Sequence, residues 1–228
     1  MAVGNRDELH AREALPLAAW DAPAGVIAGR DAVAGGTWLG VNPAGRFVVV
    51  TNLRGEGMSD AAKRSRGRLV SELLGGERAG LAELGNYNPF NLIAVAGDEA
   101  FYCTNRPEPV IAPLAPGMHG LSNGLRDAAW PKTRKLEAML GDWLAAGSED
   151  IEPLFAALGD EERFEGPAGD GEVEPVASPI FIRDAVYGTR CSTVVTVDAA
   201  GKGVIAERRF DAGGAVTGET RLGFAWSA

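Results

Sequence analysis

Gly35-Gly36-Thr37-Trp38-Leu39-Gly40-Val41-Asn42-Pro43-Ala44-Gly45-Arg46-Phe47-Val48-Val49-Val50-Thr51-Asn52 predicts two strands around a turn at Asn42-Pro43-Ala44-Gly45. Asn, Pro and Gly interrupt regular structure there, and both flanks are apolar. Phe47 to Val50 is continuously apolar, the pattern of a strand covered on both faces, which makes this hairpin central. Downstream, Ser59-Asp60 offers a cap for a helix from Ala61 to Leu74, with Leu69, Leu73 and Leu74 as its apolar stripe and Gly75-Gly76 as its stop. Leu92 to Val95 and Ala100 to Thr104 read as a second hairpin about Gly97-Asp98-Glu99. Trp130-Pro131 opens the clearest helix, with Leu136, Met139, Leu140, Trp143 and Leu144 on one face and an end near Gly147. A short helix from Ile151 to Leu158 leads into a Gly- and acid-rich loop, Gly159 to Glu174, expected to be mobile. The last quarter reads as an antiparallel meander: Pro179 to Ile182, Ser192 to Val197, Gly203 to Phe210 and Glu219 to Ala225, with turns at Ala200-Gly201 and Ala212-Gly213-Gly214.

Strands gathered at both ends and helices in the middle predict an α+β fold, helices packing outside stacked antiparallel sheets. The 228 residues, 46% hydrophobic and 23% charged, suit one domain over 1–228 with one substantial core. Gly 31 and Pro 13 supply many tight turns, which favours short strands over a helical bundle. A formal net charge of −9 excludes sequence-independent nucleic-acid binding, which needs clustered Lys and Arg. The local basic stretch Lys63, Arg64, Arg66 and Arg68 is either a solvated face or a site for a small anion. Two cysteines, Cys103 and Cys191, lack the spacing of a zinc site or a redox pair. The start lacks the basic and apolar regions of a leader, and no apolar run reaches the roughly 18 residues of a membrane span, so the cytoplasm is the simplest compartment.

Seven phrases occur in order: Asn5-Arg6-Asp7-Glu8, Gly35-Gly36-Thr37-Trp38-Leu39-Gly40, Thr51-Asn52-Leu53-Arg54, Ser65-Arg66-Gly67, Tyr87-Asn88-Pro89-Phe90-Asn91-Leu92, His119-Gly120-Leu121-Ser122-Asn123 and Tyr187-Gly188-Thr189-Arg190. Together, over nearly the whole chain, they resemble the NRDE (Transport and Golgi organisation 2) family. That family looks like the amino-terminal-nucleophile hydrolases, so the resemblance implies a four-layer αββα sandwich of two antiparallel sheets flanked by helices. Its members usually begin Met-Cys before a strand, and the freed α-amine, which titrates near neutrality, can take the thiol proton. This chain begins Met1-Ala2. Ala2-Val3 reads as the tail of a strand, so the family's first strand and its cysteine are expected to be missing. An unpaired neighbouring strand would then favour a homodimer.

The same resemblance assigns a supporting shell. Arg6 and Asp7 would hold the nucleophile's amine and thiol, Asn123 would face an oxyanion, and Arg190 would add positive charge. A salt bridge at a strand end is the competing reading for Arg6-Asp7, and loop-closing hydrogen bonds for Asn123 and Arg190. Cys191 is expected to be a buried apolar thiol, as is Cys103. His119 is a candidate axial haem ligand or a loop histidine bonded to backbone; His10 is expected at the surface. The tryptophans Trp20, Trp130, Trp143 and Trp226 are read as packing, whereas Trp38, between glycines, could line a pocket with Asn52 and Arg54.

These residues define one expected cleft bordered by Arg6, Trp38, Asn52, Arg54, Asn123 and Arg190, with two uses. The first is to carry a hydrophobic anionic small molecule, haem or an acyl lipid, against arginines. The second is amide hydrolysis by a cysteine upstream of residue 1. No metal site and no certain cofactor are expected.

Overall fold

The computed structural model describes residues 1–54, 59–126, 130–165 and 177–226. The chain is α+β, with one four-stranded and one seven-stranded antiparallel sheet. It divides into two compact units, the first made of 1–12, 118–120 and 127–223 and the second of 13–117, 121–126 and 224–228.

In the first unit, strands β1 (Ala2–Leu9), β9 (Tyr187–Val197), β10 (Lys202–Phe210) and β11 (Val216–Ala225) lie in the order β1-β9-β10-β11. The meander of the last quarter forms as expected, turning at Gly201 (φ 80°) and Gly214 (φ 79°), where a left-handed backbone favours glycine. Asn5-Arg6-Asp7-Glu8 lies inside β1 rather than beyond a strand tail, and β1 occupies one edge of its sheet. Pro179 to Ile182 is not a strand. Its backbone is held by other bonds, among them Phe181 N–H donating to Asp160 O (2.8 Å), Ile182 N–H to Thr189 Oγ1 (2.9 Å) and Thr189 N–H to Ile182 O (2.9 Å), and it forms no strand.

Helices α2 (Pro131–Ala145) and α3 (Glu152–Leu158) start and stop close to expectation. Leu136, Leu140 and Trp143 of α2 pack on a core of Ile151, Leu154, Phe155, Leu158, Ile180, Val194 and Ala206. Leu144 does not share that face; it is 50% exposed, because the stripe covers the core for only part of its arc. Each fully buried Leu here contributes roughly 1.5–3 kcal/mol of apolar transfer. Asn5 pins α3 to the sheet by donating from Nδ2 to Leu158 O (2.8 Å) and Ile180 O (2.9 Å). Of the Gly159 to Glu174 loop, residues 166–174 lie outside the described residues.

The second unit is a sequential meander of β2 (Ala14–Ala19), β3 (Ile27–Asp31), β4 (Leu39–Asn42), β5 (Arg46–Asn52), β6 (Phe90–Ala96), β7 (Glu99–Thr104) and β8 (Val110–Pro113). Both expected hairpins are present, and the composition argument missed β2, β3 and β8. Asn42 closes the β4–β5 turn by accepting the Ala44 N–H at Oδ1 (2.9 Å). Phe47 and Val48 are buried, but Val49 and Val50 only partly so, and β5 is less covered than its apolar run predicts.

Helix α1 (Arg66–Gly75) begins later than Ala61, because Asp60 Oδ1 bonds the Ala62 N–H (2.8 Å) and commits those residues to a turn. Leu69, Val70, Leu73 and Leu74 enter a core with Val48, Tyr87, Phe90, Leu92 and Phe101. Gly76 (φ 94°) ends the helix as expected. The entry of α1 also explains two of the quoted phrases. A Cβ on Gly36 would lie 2.2 Å from the Gly67 carbonyl carbon, and Thr37 N–H donates to Gly67 O (3.1 Å). The two glycines let backbone meet backbone.

Candidate functional site

In the first unit, pairing aligns β1, β9 and β10 so that Arg6, Cys191 and Arg209 form one row across the sheet. Gly4, Thr193 and Glu207 form the next row, and Ala2, Val195 and Ile205 the one after. Directly opposed residues share a face, so charged and apolar side chains adjoin on one surface. Arg6 is 9% exposed and Glu207 2%. Arg6 lies 3.9 Å from Glu8, a salt bridge within one strand. Arg209 is half-buried, and its side chain makes no hydrogen bond or ion pair among the described residues.

Pairing shifts between Arg6 and Asp7, which leaves Arg190 as an extra residue on β9. The shift sets Asp7 opposite Thr189, whose Oγ1 donates to Asp7 Oδ1 (2.6 Å), while Tyr187 Oη donates to Asp7 O (3.1 Å). Arg190 Nη1 donates to Leu9 O (3.2 Å) and His10 O (2.6 Å), the loop-closing role weighed for it. Arg6, Asp7 and Arg190 are thus neighbours on β1 and β9.

Cys191 is buried, and its thiol is pushed well above its usual range by burial, by the Glu207 charge and by a hydrogen bond to Glu207; Arg6 acts against this. Burial pushes the Cys103 thiol up to about 12. Neither forms the thiolate a nucleophile requires near neutral pH, in agreement with the sequence reading.

In the second unit, a strap over 122–124 is tied across the ends of β5 and β6. Thr51 Oγ1 donates to Ser122 O (2.8 Å), Arg54 N–H to Asn123 O (2.8 Å) and Asn91 Nδ2 to Gly124 O (2.8 Å). Tyr102 Oη in turn donates to Asn91 Oδ1 (2.6 Å). Asn123 Nδ2 donates to Asn52 O (2.8 Å), so its amide closes the strap in this structure. Asn52, Arg54 and Asn123 are therefore brought together here. Trp38 is half-buried at the entry to β4, its carbonyl accepting the Val50 N–H (2.9 Å).

His119 is exposed and belongs to the first unit, in a segment pressed on α2: a Cβ on the following Gly120 would lie 2.2 Å from Thr133 Cγ2. His10 bonds Asp184 O through Nε2 (2.8 Å) and takes part in loop closure as well as lying near the surface. The basic stretch is used structurally. Arg64 pairs with Glu72 (3.2 Å) and Glu83 (3.4 Å), Lys63 bonds Gly85 O (3.0 Å) and Arg66 bonds Pro89 O (2.9 Å). Trp20 and Trp130 are buried as packing residues.

Sequence reasoning missed Glu207 and Arg209. Both interrupt an otherwise apolar strand, Val204-Ile205-Ala206-Glu207-Arg208-Arg209-Phe210, and that interruption was the available signal. Among the described residues no cluster of three or more His, Cys, Asp or Glu could hold a metal ion, and no helix is long and apolar enough to cross a membrane.

By sequence, the chain is similar to the "Transport and Golgi organization protein 2 homolog" of Bos taurus, 34% identical over 234 residues, covering 90% of this chain and 84% of that protein. The corresponding proteins of Mus musculus and Homo sapiens are 33% and 31% identical over the same shares of each chain. Among solved structures, the "N-acylethanolamine-hydrolyzing acid amidase (NAAA) ortholog" of Caenorhabditis elegans aligns with a TM-score of 0.48 at 12% identity, covering 84% of this chain and 85% of that one. A family model described as "Transport and Golgi organisation 2" matches residues 2–212, which span β1, the strap, β9 and β10, so the chain belongs to the Transport and Golgi organisation 2 family.

Proposed function

We propose that this chain binds a hydrophobic anionic small molecule, haem or an acyl lipid, through its arginines. The observation that carries the reading is the row Arg6–Cys191–Arg209, with the apolar pair Val195 and Ile205 two rows further along the same face of the sheet. On that face Arg6 pairs with Glu8 at 3.9 Å, and Arg209 adjoins the buried carboxylate Glu207 in the neighbouring row. A carboxylate ligand would find planar donors in Arg209, whose side chain has no competing protein partner among the described residues. Exposed His119 is the candidate axial ligand for haem iron, and Arg6, Asp7 and Arg190 keep a supporting role in the same reading. Amide hydrolysis would require a nucleophile that neither buried thiol provides.

Haemin titration followed by absorbance tests this proposal. Saturation at micromolar haemin is expected, weakened at least about tenfold by Arg209→Ala, a loss of roughly 1.4 kcal/mol. His119→Ala should shift the Soret band. Absence of saturation, or equal binding by Arg209→Ala and Arg6→Ala, overturns the reading. Palmitate in place of haemin separates the acyl-lipid form, for which His119→Ala is silent.

A further inference from the structure

A cavity within the seven-stranded unit lies where the C-terminal end of α1 meets β5, β6 and β7. It holds about 150 Å³ and is lined by Arg46, Val48, Leu73, Arg78, Ala94 and Phe101. Its floor is apolar, and both of its charged residues are arginines. We propose that this cavity binds a small monocarboxylate with a short apolar tail, such as a free short-chain carboxylic acid, independently of the Arg6–Arg209 face.

Arg46 carries the argument. Its guanidinium is half-buried, and its one hydrogen bond among the described residues runs from Nη1 to Leu74 O at 3.4 Å, a long contact for a group with five N–H donors. The remaining donors are uncommitted. The Gly76 backbone makes room for the group: a Cβ there would lie 2.9 Å from Arg46 Nη2.

Arg78 lies over the Phe101 ring (5.5 Å) and pairs with Glu99 (3.1 Å), both partners being largely exposed. A surface pair of that kind is weak, so a carboxylate arriving beside it can share Arg78 at little cost. The two cations also offset the negative end of α1, which would otherwise repel an anion. Size sets the tail: an apolar cavity of about 150 Å³ accepts a molecule the size of benzene, so roughly four to six carbons fit.

Calorimetric titration of sodium butyrate tests this site on the whole chain. Saturable binding with a Kd of roughly 1 mM is expected, in line with a ligand of few heavy atoms. Arg46→Gln should weaken it at least about tenfold and Arg78→Gln about threefold, both equivalent to conventional charge-assisted contacts. Arg78→Gln touches an exposed side chain, so it remains informative if Arg46→Gln disturbs the end of α1. Ala94→Leu, which fills the floor, should abolish binding while the far-ultraviolet dichroism is unchanged. No saturation by roughly 20 mM butyrate, equal binding of neutral 1-butanol, or binding of inorganic phosphate in preference to butyrate would each overturn the proposal. Arg209→Ala leaves butyrate binding unchanged if the two sites are separate, so failure here and failure of haemin binding are told apart.

Discussion

Replacing Gly36 by Ala probes the contact that seats α1. The added Cβ would stand 2.2 Å from the Gly67 carbonyl carbon, 2.4 Å from its oxygen and 2.5 Å from the Arg68 nitrogen. All three are backbone atoms, so no side chain can rotate away. Relief requires α1 to move off the β3–β4 turn, which stretches the Thr37 N–H to Gly67 O bond and loosens Leu69 and Val70, both fully buried. Overpacking costs about 1–3 kcal/mol, and the lost hydrogen bond adds about 1 kcal/mol. Alanine recovers about 0.4–1 kcal/mol by restricting the unfolded chain. The net expectation is a destabilisation of about 2–3 kcal/mol, a sizeable part of the 5–15 kcal/mol typical of a domain. Urea denaturation followed by Trp fluorescence reads this as a lowered midpoint with an unchanged slope. Gly218→Ala is the control, because a Cβ there meets nothing within 4 Å. If the two substitutions shift the midpoint equally, the close approach of Gly36 and Gly67 does not restrain the fold and the reasoning is wrong.

Tyr87 is fully buried and its hydroxyl has no partner among the described residues, so Tyr87→Phe should stabilise the chain by about 1 kcal/mol in the same assay, and a loss of stability would show that the hydroxyl is satisfied in solution. Burial alone would raise the Asp160 carboxyl, but the Lys135 ammonium at 2.5 Å and the Glu162 N–H hold it below its ordinary 3.8. A carboxyl depressed on folding adds stability at pH above 3.8 that is lost as pH falls through its lower folded value, so Asp160→Asn should flatten the acid limb of stability against pH there; an unchanged limb would refute the pairing.

The hairpin at Asn42 to Gly45, the meander from Tyr187 onward and the limits of α2 and α3 were legible because each is governed by neighbours in sequence: a turn residue, a Pro at the first helical position, a glycine at the stop. The start of α1 was not, because Asp60 competes for the backbone through a bond that helix propensity does not weigh. Pro179 to Ile182 looks like a strand and fails to be one because pairing belongs to partners, and its backbone is already committed to Asp160 and Thr189. The candidate site was legible as phrases and not as geometry. The phrases named Arg6, Asp7 and Arg190, which the ladder of β1 and β9 makes neighbours. Arg209 and Glu207 came from no phrase and required the register of β10. Asn123 was read either as an oxyanion donor or as a loop-closing amide, and its amide donates to Asn52 O, a partner that the phrases did not name.

The extra residue at Arg190 changes how this stretch should be compared among kin. Without that shift in pairing, simple alternation would put Asp7 across from Arg190 and Glu8 across from Thr189, and the acid now held by the threonine hydroxyl would face a different neighbour. Spacing between Tyr187 and Cys191 therefore carries more information than the identity of any side chain inside it.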